Sequence, residues 1–95
     1  MCTYFTEKAS MVGSSGKGAQ GWFALQEANV AFDHPFHASL EHALMIDFIN
    51  DAAGAGARVA VELTTDSARE LIRAIEAALA KAEEEGLSDG VSSAA

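Results

Sequence analysis

The chain's three histidines, His34, His37 and His42, all lie in FDHPFHASLEH, which spans residues 32–42 and also carries Glu41. Imidazole together with carboxylate suits zinc, copper, iron or nickel, and three protein ligands plus an open position is the pattern of a catalytic zinc site. The segment therefore predicts a divalent transition-metal site built from the three histidines. Glu41 would be a further ligand or a proton acceptor. A metal with an open position would activate water or bind a small ligand, and the residues leave open whether the chain is an enzyme.

The spacing of these histidines matches no established metal signature. It reads H-x₂-H followed by H-x₄-H, which is neither H-E-x-x-H nor a zinc-finger pattern. A polar, histidine-rich loop is the alternative interpretation. Pro35 disfavours helix at His34. Pro35 would then open a short helical turn with His37 and Glu41 on one face, or the segment is an irregular loop whose ends bring the imidazoles together.

Cys2 is the only cysteine, so a disulfide within the chain is excluded. A thiolate beside a histidine or a metal is a competent ligand or catalytic nucleophile, and Cys2 is a candidate for either role. The alternative is a small apolar residue in an edge strand. A single unpaired thiol fits a reducing compartment, and the N-terminus lacks the apolar run of a signal peptide. The chain is therefore expected to be cytoplasmic.

The charge balance argues against two classes of partner. Six basic residues against 14 acidic ones give a net charge of −8, whereas nucleic acids and anionic membranes attract a basic surface. The longest apolar run, ALMIDFI, contains a carboxylate and falls far short of the roughly 20 residues of a membrane span. We expect neither nucleic acid nor membrane as a partner.

The first two predicted strands cover residues 2–12 and 22–32, which are rich in aromatic and β-branched residues. They are expected to form a hairpin around the glycine-rich segment 13–21, whose composition is typical of a mobile loop. Residues 43–50 and 58–64 predict a third and a fourth strand by their alternation of apolar and polar residues.

The apolar period becomes helical after Thr64, which is a good N-cap, with Asp66 in the first turn. One apolar stripe follows, made of Ala68, Leu71, Ile72, Ile75 and Leu79. Gly86 is a natural stop for this helix. The predicted fold is α+β: a four-stranded, mainly antiparallel sheet (ββββα) with one C-terminal helix packed on one face. Residues 1–86 would form a single domain, and residues 87–95 a disordered tail of acidic and small residues.

One helix covers only one face of such a sheet, and an apolar open face usually meets a partner. The open face is expected to carry Met45, Ile49 and aromatic residues of the first hairpin, and we expect homodimerisation through it. Asp47 and Glu62 fall on the same face, either solvated or, in an interface or pocket, as candidates for metal ligation or proton transfer. Tyr4, Trp22 and Asn29 would line such a pocket.

Two metal-free functions compete with the metal site. One is a homodimeric binding or interaction module, whose small-molecule pocket lies on the open sheet face and whose histidines shape that pocket or form a pH-sensitive contact. The other is an enzyme that uses Cys2 with a histidine.

Three motifs occur in order along the chain: the N-terminal MCTY, the central DHPxHxxxEH at residues 33–42, and the strand RVAVEL before the last helix. In this combination the chain resembles a family of small uncharacterised bacterial proteins. The resemblance covers residues 1 to about 80 and supports a recurrent domain. It implies no activity, so the roles given to the histidines, Glu41 and Cys2 rest on residue type and spacing.

Overall fold

The computed structural model describes residues 5–87, which hold six strands and one α-helix. The strands are β1 (Phe5–Ser10), β2 (Ser15–Gly18), β3 (Gly21–Ala24), β4 (Glu27–Asp33), β5 (Ala43–Ile49) and β6 (Arg58–Leu63), and the helix is α1 (Thr65–Glu84). The chain divides into two compact units, one ending at Thr65 and the other beginning at Asp66. The predicted single domain stays a prediction. Nearly all of the predicted tail lies outside the described residues, as do Cys2 and Tyr4.

Four strands form one antiparallel sheet in the order β1-β4-β5-β6, which confirms the predicted four-stranded antiparallel sheet. Because side chains alternate along a strand, the register assigns each residue to one of two faces. The apolar face carries Phe5, Glu7, Ala9, Ala28, Val30, Phe32, Leu44, Ile46, Phe48, Val59, Val61 and Leu63. Apolar residues thus follow one another across all four strands.

The opposite face, the polar face, carries Met45 and Ile49 among charged and amide side chains. Two ion pairs lie on it. Arg58 Nη2 lies 2.7 Å from Asp47 Oδ1, and Lys8 Nζ lies 3.8 Å from Glu27 Oε2. Some aromatic residues of the first hairpin are expected on this face, but Phe5 and Phe32 do not lie on it. Both belong to the apolar face, because Phe5 pairs with Phe32, and Phe32 pairs with Leu44.

The glycine-rich segment is not the predicted loop. Residues Ser15–Gly18 form β2, which pairs with β3 as a separate two-stranded antiparallel sheet. A Cβ at Gly18 would lie 3.3 Å from the carbonyl oxygen of Arg58, and one at Gly16 would lie 3.1 Å from a methyl group of Leu25. Glycine is present here because other atoms approach closely. The predicted strand over residues 22–32 is accordingly split into β3 and β4.

The C-terminal helix α1 is confirmed, and its end follows the sequence. Gly86 has φ +68°, the Leu87 amide donates to the Ala82 carbonyl, and the Gly86 amide donates to the Glu83 carbonyl. This is the Schellman motif, which provides hydrogen bonds to carbonyls at the end of the helix that have no partner within it. The stripe residues Leu71, Ile72, Ile75 and Leu79 are 44–58% exposed. The predicted packing of α1 on a sheet face stays a prediction.

Most of the buried residues in the described part of the chain are alanines. In this part the buried residues are Leu25, Ala28, Ala43, Ala57 and Ala68, and no large side chain is fully buried. The large residues of β4, β5 and β6 on the apolar face are half-buried. A domain this size has only a small core to stabilise it. Further burial of these half-buried apolar side chains would add stability.

Candidate functional site

His34 and His42 lie opposite each other just beyond the end of the β4–β5 ladder. The last ladder pair is Asp33 with Ala43, and the next opposed positions in that register are His34 and His42. Opposed positions share a face, so both imidazoles fall at the end of the apolar face. Their ring centroids are 5.0 Å apart with 33° between the ring planes. The His42 ring also stacks on Phe32, with centroids 6.0 Å apart and 20° between the planes.

A backbone carbonyl sets the tautomer of His34. The Nδ1 atom of His34 lies 2.8 Å from the carbonyl oxygen of Glu41. Because a carbonyl oxygen can only accept, the proton of the neutral ring must be on Nδ1 and its lone pair on Nε2. A carbonyl contact of this kind orients many histidines that ligate metals. Glu41 therefore contributes its backbone here, and Asp33 Oδ1 accepts from the His34 amide at 2.6 Å.

The middle of the segment is held by Glu62, a residue of β6. One carboxylate accepts hydrogen bonds from three consecutive amides: Phe36 at 2.7 Å, His37 at 3.0 Å and Ala38 at 2.8 Å. We call this arrangement the Glu62 clamp. The Glu62 side chain is only 14% exposed. Backbone amides that converge on one carboxylate make a strong anion site, because each bond is charge-assisted.

The clamp makes Glu62 more acidic. The hydrogen bonds from the Ala38 and Phe36 amides lower the pKa of this carboxyl below its ordinary value of 4.5, although burial opposes them. The His37 amide and the nearby His37 ring lower the pKa further. The charged form accepts all three bonds, so the protein binds it in preference to the neutral acid.

The third histidine, His37, lies beside Glu62. Its side chain is 92% exposed, and its Nδ1 atom lies 3.9 Å from Glu62 Oε2. Within residues 5–87, no three His, Cys, Asp or Glu side chains come close enough to hold one metal ion. The structure thus brings two of the predicted ligands together, and the candidate Cys2 lies outside the described residues.

The segment between β4 and β5 is an irregular loop with bends at residues 36–39 and 41–42. The predicted helical turn from Pro35 is therefore wrong, and the alternative of an irregular loop is confirmed. Its local closure includes a bond from the Leu40 amide to the Ala38 carbonyl at 2.9 Å.

Sequence reasoning missed the clamp. The sequence offers Glu62 as a solvated carboxylate or as a candidate for metal ligation or proton transfer. No local pattern points to residues 36–38, which lie 24–26 positions away. The sheet order was the missing information. Trp22 lies elsewhere, on the β2–β3 hairpin, where it lines two open surface clefts of 180 and 440 Å³.

The model of a family of unknown function, DUF6295, matches residues 1–88. The chain belongs to this family. Membership confirms the resemblance to an uncharacterised family and extends it to the end of the described residues. The three motifs that suggested the resemblance stay predictions about the family. Comparison with curated proteins and with solved structures finds no match. Among the described residues, no helix is long and apolar enough to cross a membrane.

Proposed function

We propose that the chain binds a divalent transition metal through His34 and His42. The observation that carries the proposal is the opposed pair of imidazoles, 5.0 Å apart between centroids. Two nitrogens that share one tetrahedral zinc at 2.0–2.1 Å lie about 3.3 Å apart. A centroid separation of 5.0 Å is short enough for a nitrogen of each ring to reach one shared ion. The Glu41 carbonyl supports the proposal, because it places the lone pair of His34 on Nε2.

The site needs further ligands, and the predicted Cys2 thiolate is our first choice. Three peptide units separate Cys2 from Phe5 and span at most about 11 Å. Phe5 pairs with Phe32, the residue on which the His42 ring stacks. Covalent geometry therefore allows a thiolate beside the two imidazoles. Zinc, copper, iron and nickel all accept this donor set. Any reaction of the bound metal, and the roles of Glu41 and Cys2 in it, stay predictions.

Elemental analysis of untagged protein tests the proposal. We expect a stoichiometric metal, lost in His34→Ala and in His42→Ala. His37→Ala is the matched control and should retain it, because the His37 side chain is exposed and lies beside Glu62. Glu41→Ala should also retain it, because the contact with His34 uses the backbone. Loss of the metal in either control would show that the substituted side chain is also a ligand.

Thermal unfolding gives a second reading. A metal that binds only the folded chain stabilises it by about 2.7 kcal/mol at a hundred times its dissociation constant. Less than about 0.1 metal per chain, with no rise in Tm on adding zinc, copper, nickel or iron, would refute the proposal.

The second candidate function is a metal-free homodimeric interaction module. It is favoured by exposed apolar surface on both compact units: Phe5 and Phe36 in the first, and the α1 stripe in the second. The expected interface around Met45 and Ile49 lies on the polar face. The exposed apolar residues are a better choice for contact with a second copy. A small-molecule pocket remains part of this candidate.

Sedimentation separates the two candidates. Leu79→Glu on the α1 stripe should turn a dimer into a monomer, whereas Ala77→Glu on the opposite side of the helix should not. A wild-type chain that sediments as a 9.9 kDa monomer at tens of micromolar would refute the homodimer. A metal-dependent dimer would join the two candidates into one.

A further inference from the structure

The position of the His34–His42 pair depends on the path of the loop that joins β4 to β5. The β4–β5 ladder ends at Asp33 and Ala43, and residues 34–42 form the loop beyond it. A loop of this length samples many conformations unless contacts order it, and ordering each residue costs about 1–2 kcal/mol of entropy. Something must therefore hold its middle.

The Glu62 clamp supplies that contact. Both carboxylate oxygens are used: Oε2 accepts from the Phe36 amide, and Oε1 accepts from the Ala38 amide. The His37 amide lies between them, 3.0 Å from Oε1 and 3.3 Å from Oε2. A carboxylate that accepts hydrogen bonds from both ends of a three-residue segment fixes the position and the orientation of that segment.

The sheet fixes the clamp in turn. Glu62 pairs with Met45 across β5 and β6, so its Cα belongs to the four-stranded sheet and not to a loop. The loop is thus attached to the sheet at its two ends and at its middle. Binding geometries are held most precisely when a rigid element supports the residues around them.

We infer that Glu62 is a positioning residue for the His34–His42 site. This inference rests on the proposed function for its effect on metal binding. Glu62 touches neither imidazole of the pair in the contacts above. It acts through the Phe36–Ala38 backbone, which sets the path of the chain from His34 to His42.

The test compares Glu62→Gln with Glu27→Gln. Glu27 lies on the same face of the same sheet, in β4, and pairs with Lys8 at 3.8 Å. Glu62→Gln keeps the size of the side chain but replaces one acceptor oxygen with an NH₂ group that cannot accept. In a zinc titration we expect about a tenfold or greater loss of affinity for Glu62→Gln, as for other residues that orient ligands, and none for Glu27→Gln. Equal affinities for wild type and Glu62→Gln would overturn the inference.

A metal-free measurement separates this inference from the proposed function. In nitrogen-15 correlation spectra, the His34 ring of wild type should carry its proton on Nδ1, and its ring protons should show nuclear Overhauser contacts to His42. Both signatures should weaken in Glu62→Gln and persist in Glu27→Gln. If wild type binds no zinc, the proposed function fails, and these spectra alone decide the role of Glu62: unchanged signatures in Glu62→Gln overturn it.

Glu62→Asp covers the case in which Glu62→Gln does not fold. The aspartate keeps the charge but is one methylene too short to reach both outer amides. Folded Glu62→Asp with a weakened ring contact supports the inference. A ring contact equal to that of wild type overturns it.

Discussion

Two connections between neighbouring strands of the sheet are closed in different ways. Residues 50–57 join β5 to β6 and are closed mainly from within. The Asn50 side chain accepts from the Ala52 amide at 3.0 Å, and the Ala57 amide donates to the Gly54 carbonyl at 3.1 Å. Residues 34–42 join β4 to β5, and their middle is held by a carboxylate from a third strand.

The conformation of residues 50–57 depends mainly on their own sequence. The conformation of residues 34–42 depends also on a residue from another strand of the sheet. An asparagine cap, a short 3₁₀ helix over Asp51–Ala53 and a glycine with positive φ are local turn chemistry. The 34–42 loop has bonds of its own, but its middle is bonded to Glu62, a residue of β6. Loops held by a rigid scaffold carry much of protein function, and the histidines lie in the scaffold-dependent loop. The following predictions test this contrast, from the largest effect to the smallest.

Gly54→Ala should have the largest effect. Gly54 has φ 103° and ψ 168°, a region that is essentially limited to glycine. We expect alanine to lower the free energy of unfolding by about 1–3 kcal/mol, measured by urea denaturation. Gly56→Ala is the control, because its Cβ would meet Gln20 side-chain atoms at an ordinary 3.6 Å. Equal losses in both variants would contradict a backbone-encoded turn.

Asn50→Ala should have the next largest effect, about 1 kcal/mol in the same measurement, because it removes the cap. It also removes a bond from Nδ2 to the Ala24 carbonyl at 2.9 Å. Asn50→Asp keeps an acceptor for the Ala52 amide but places a carboxylate oxygen against the Ala24 carbonyl. We therefore expect a loss from both variants, and an unchanged free energy of unfolding in Asn50→Ala would contradict the cap.

Pro35→Ala should have a smaller effect on stability. Alanine gives the unfolded chain more conformational freedom than proline does. The free energy of unfolding should therefore fall by about 0.4–1 kcal/mol if the folded loop is unchanged. Amide chemical shifts of Phe36 and Ala38 should stay at their wild-type values, since Glu62 holds both. Large shift changes would mean that Pro35, and not the Glu62 clamp, sets the conformation of the loop.

Acidification should have the smallest effect, because it acts only at pH values well below neutral. The pKa of Glu62 lies below 4.5 in the folded chain, so the clamp is fully formed above 4.5 and is lost as the pH falls through the lowered value. The Phe36 and Ala38 amide shifts should therefore show a carboxyl transition with its midpoint below pH 4.5. The Ala57 amide, bonded to a carbonyl, is the control. A midpoint at or above 4.5 would contradict the clamp.

Local patterns predicted the later elements well and the earlier ones less well. The alternation of Leu44, Ile46 and Phe48 placed β5 on the apolar face, and Gly86 marked the end of α1. The strand β2 has the sequence SGKG and carries no apolar alternation. Its pairing with β3 and its close contacts at Gly16 and Gly18 become apparent only in three dimensions.

The candidate site divides in the same way. The clustering of the histidines is visible in the sequence, and the opposition of His34 and His42 follows once the register of Asp33 with Ala43 is known. The role of Glu62 needs the sheet order, because β6 must lie beside β5 before its carboxylate can reach residues 36–38. The contact of Glu41 with His34 uses the backbone carbonyl, which side-chain chemistry does not reveal, and the role of the Glu41 side chain stays a prediction.

The glycines of β2 have a consequence for protein engineering. Glycine-rich segments are common choices for inserting an epitope tag or a fluorescent label, because they are taken to be loops that tolerate added residues. Here an insertion within Ser15–Gly18 would separate β2 from β3 and remove Gly18 from its close approach to the Arg58 carbonyl. Arg58 begins β6, the strand that carries Glu62. A label placed there to leave the protein undisturbed would instead disturb the strand on which the histidine loop depends.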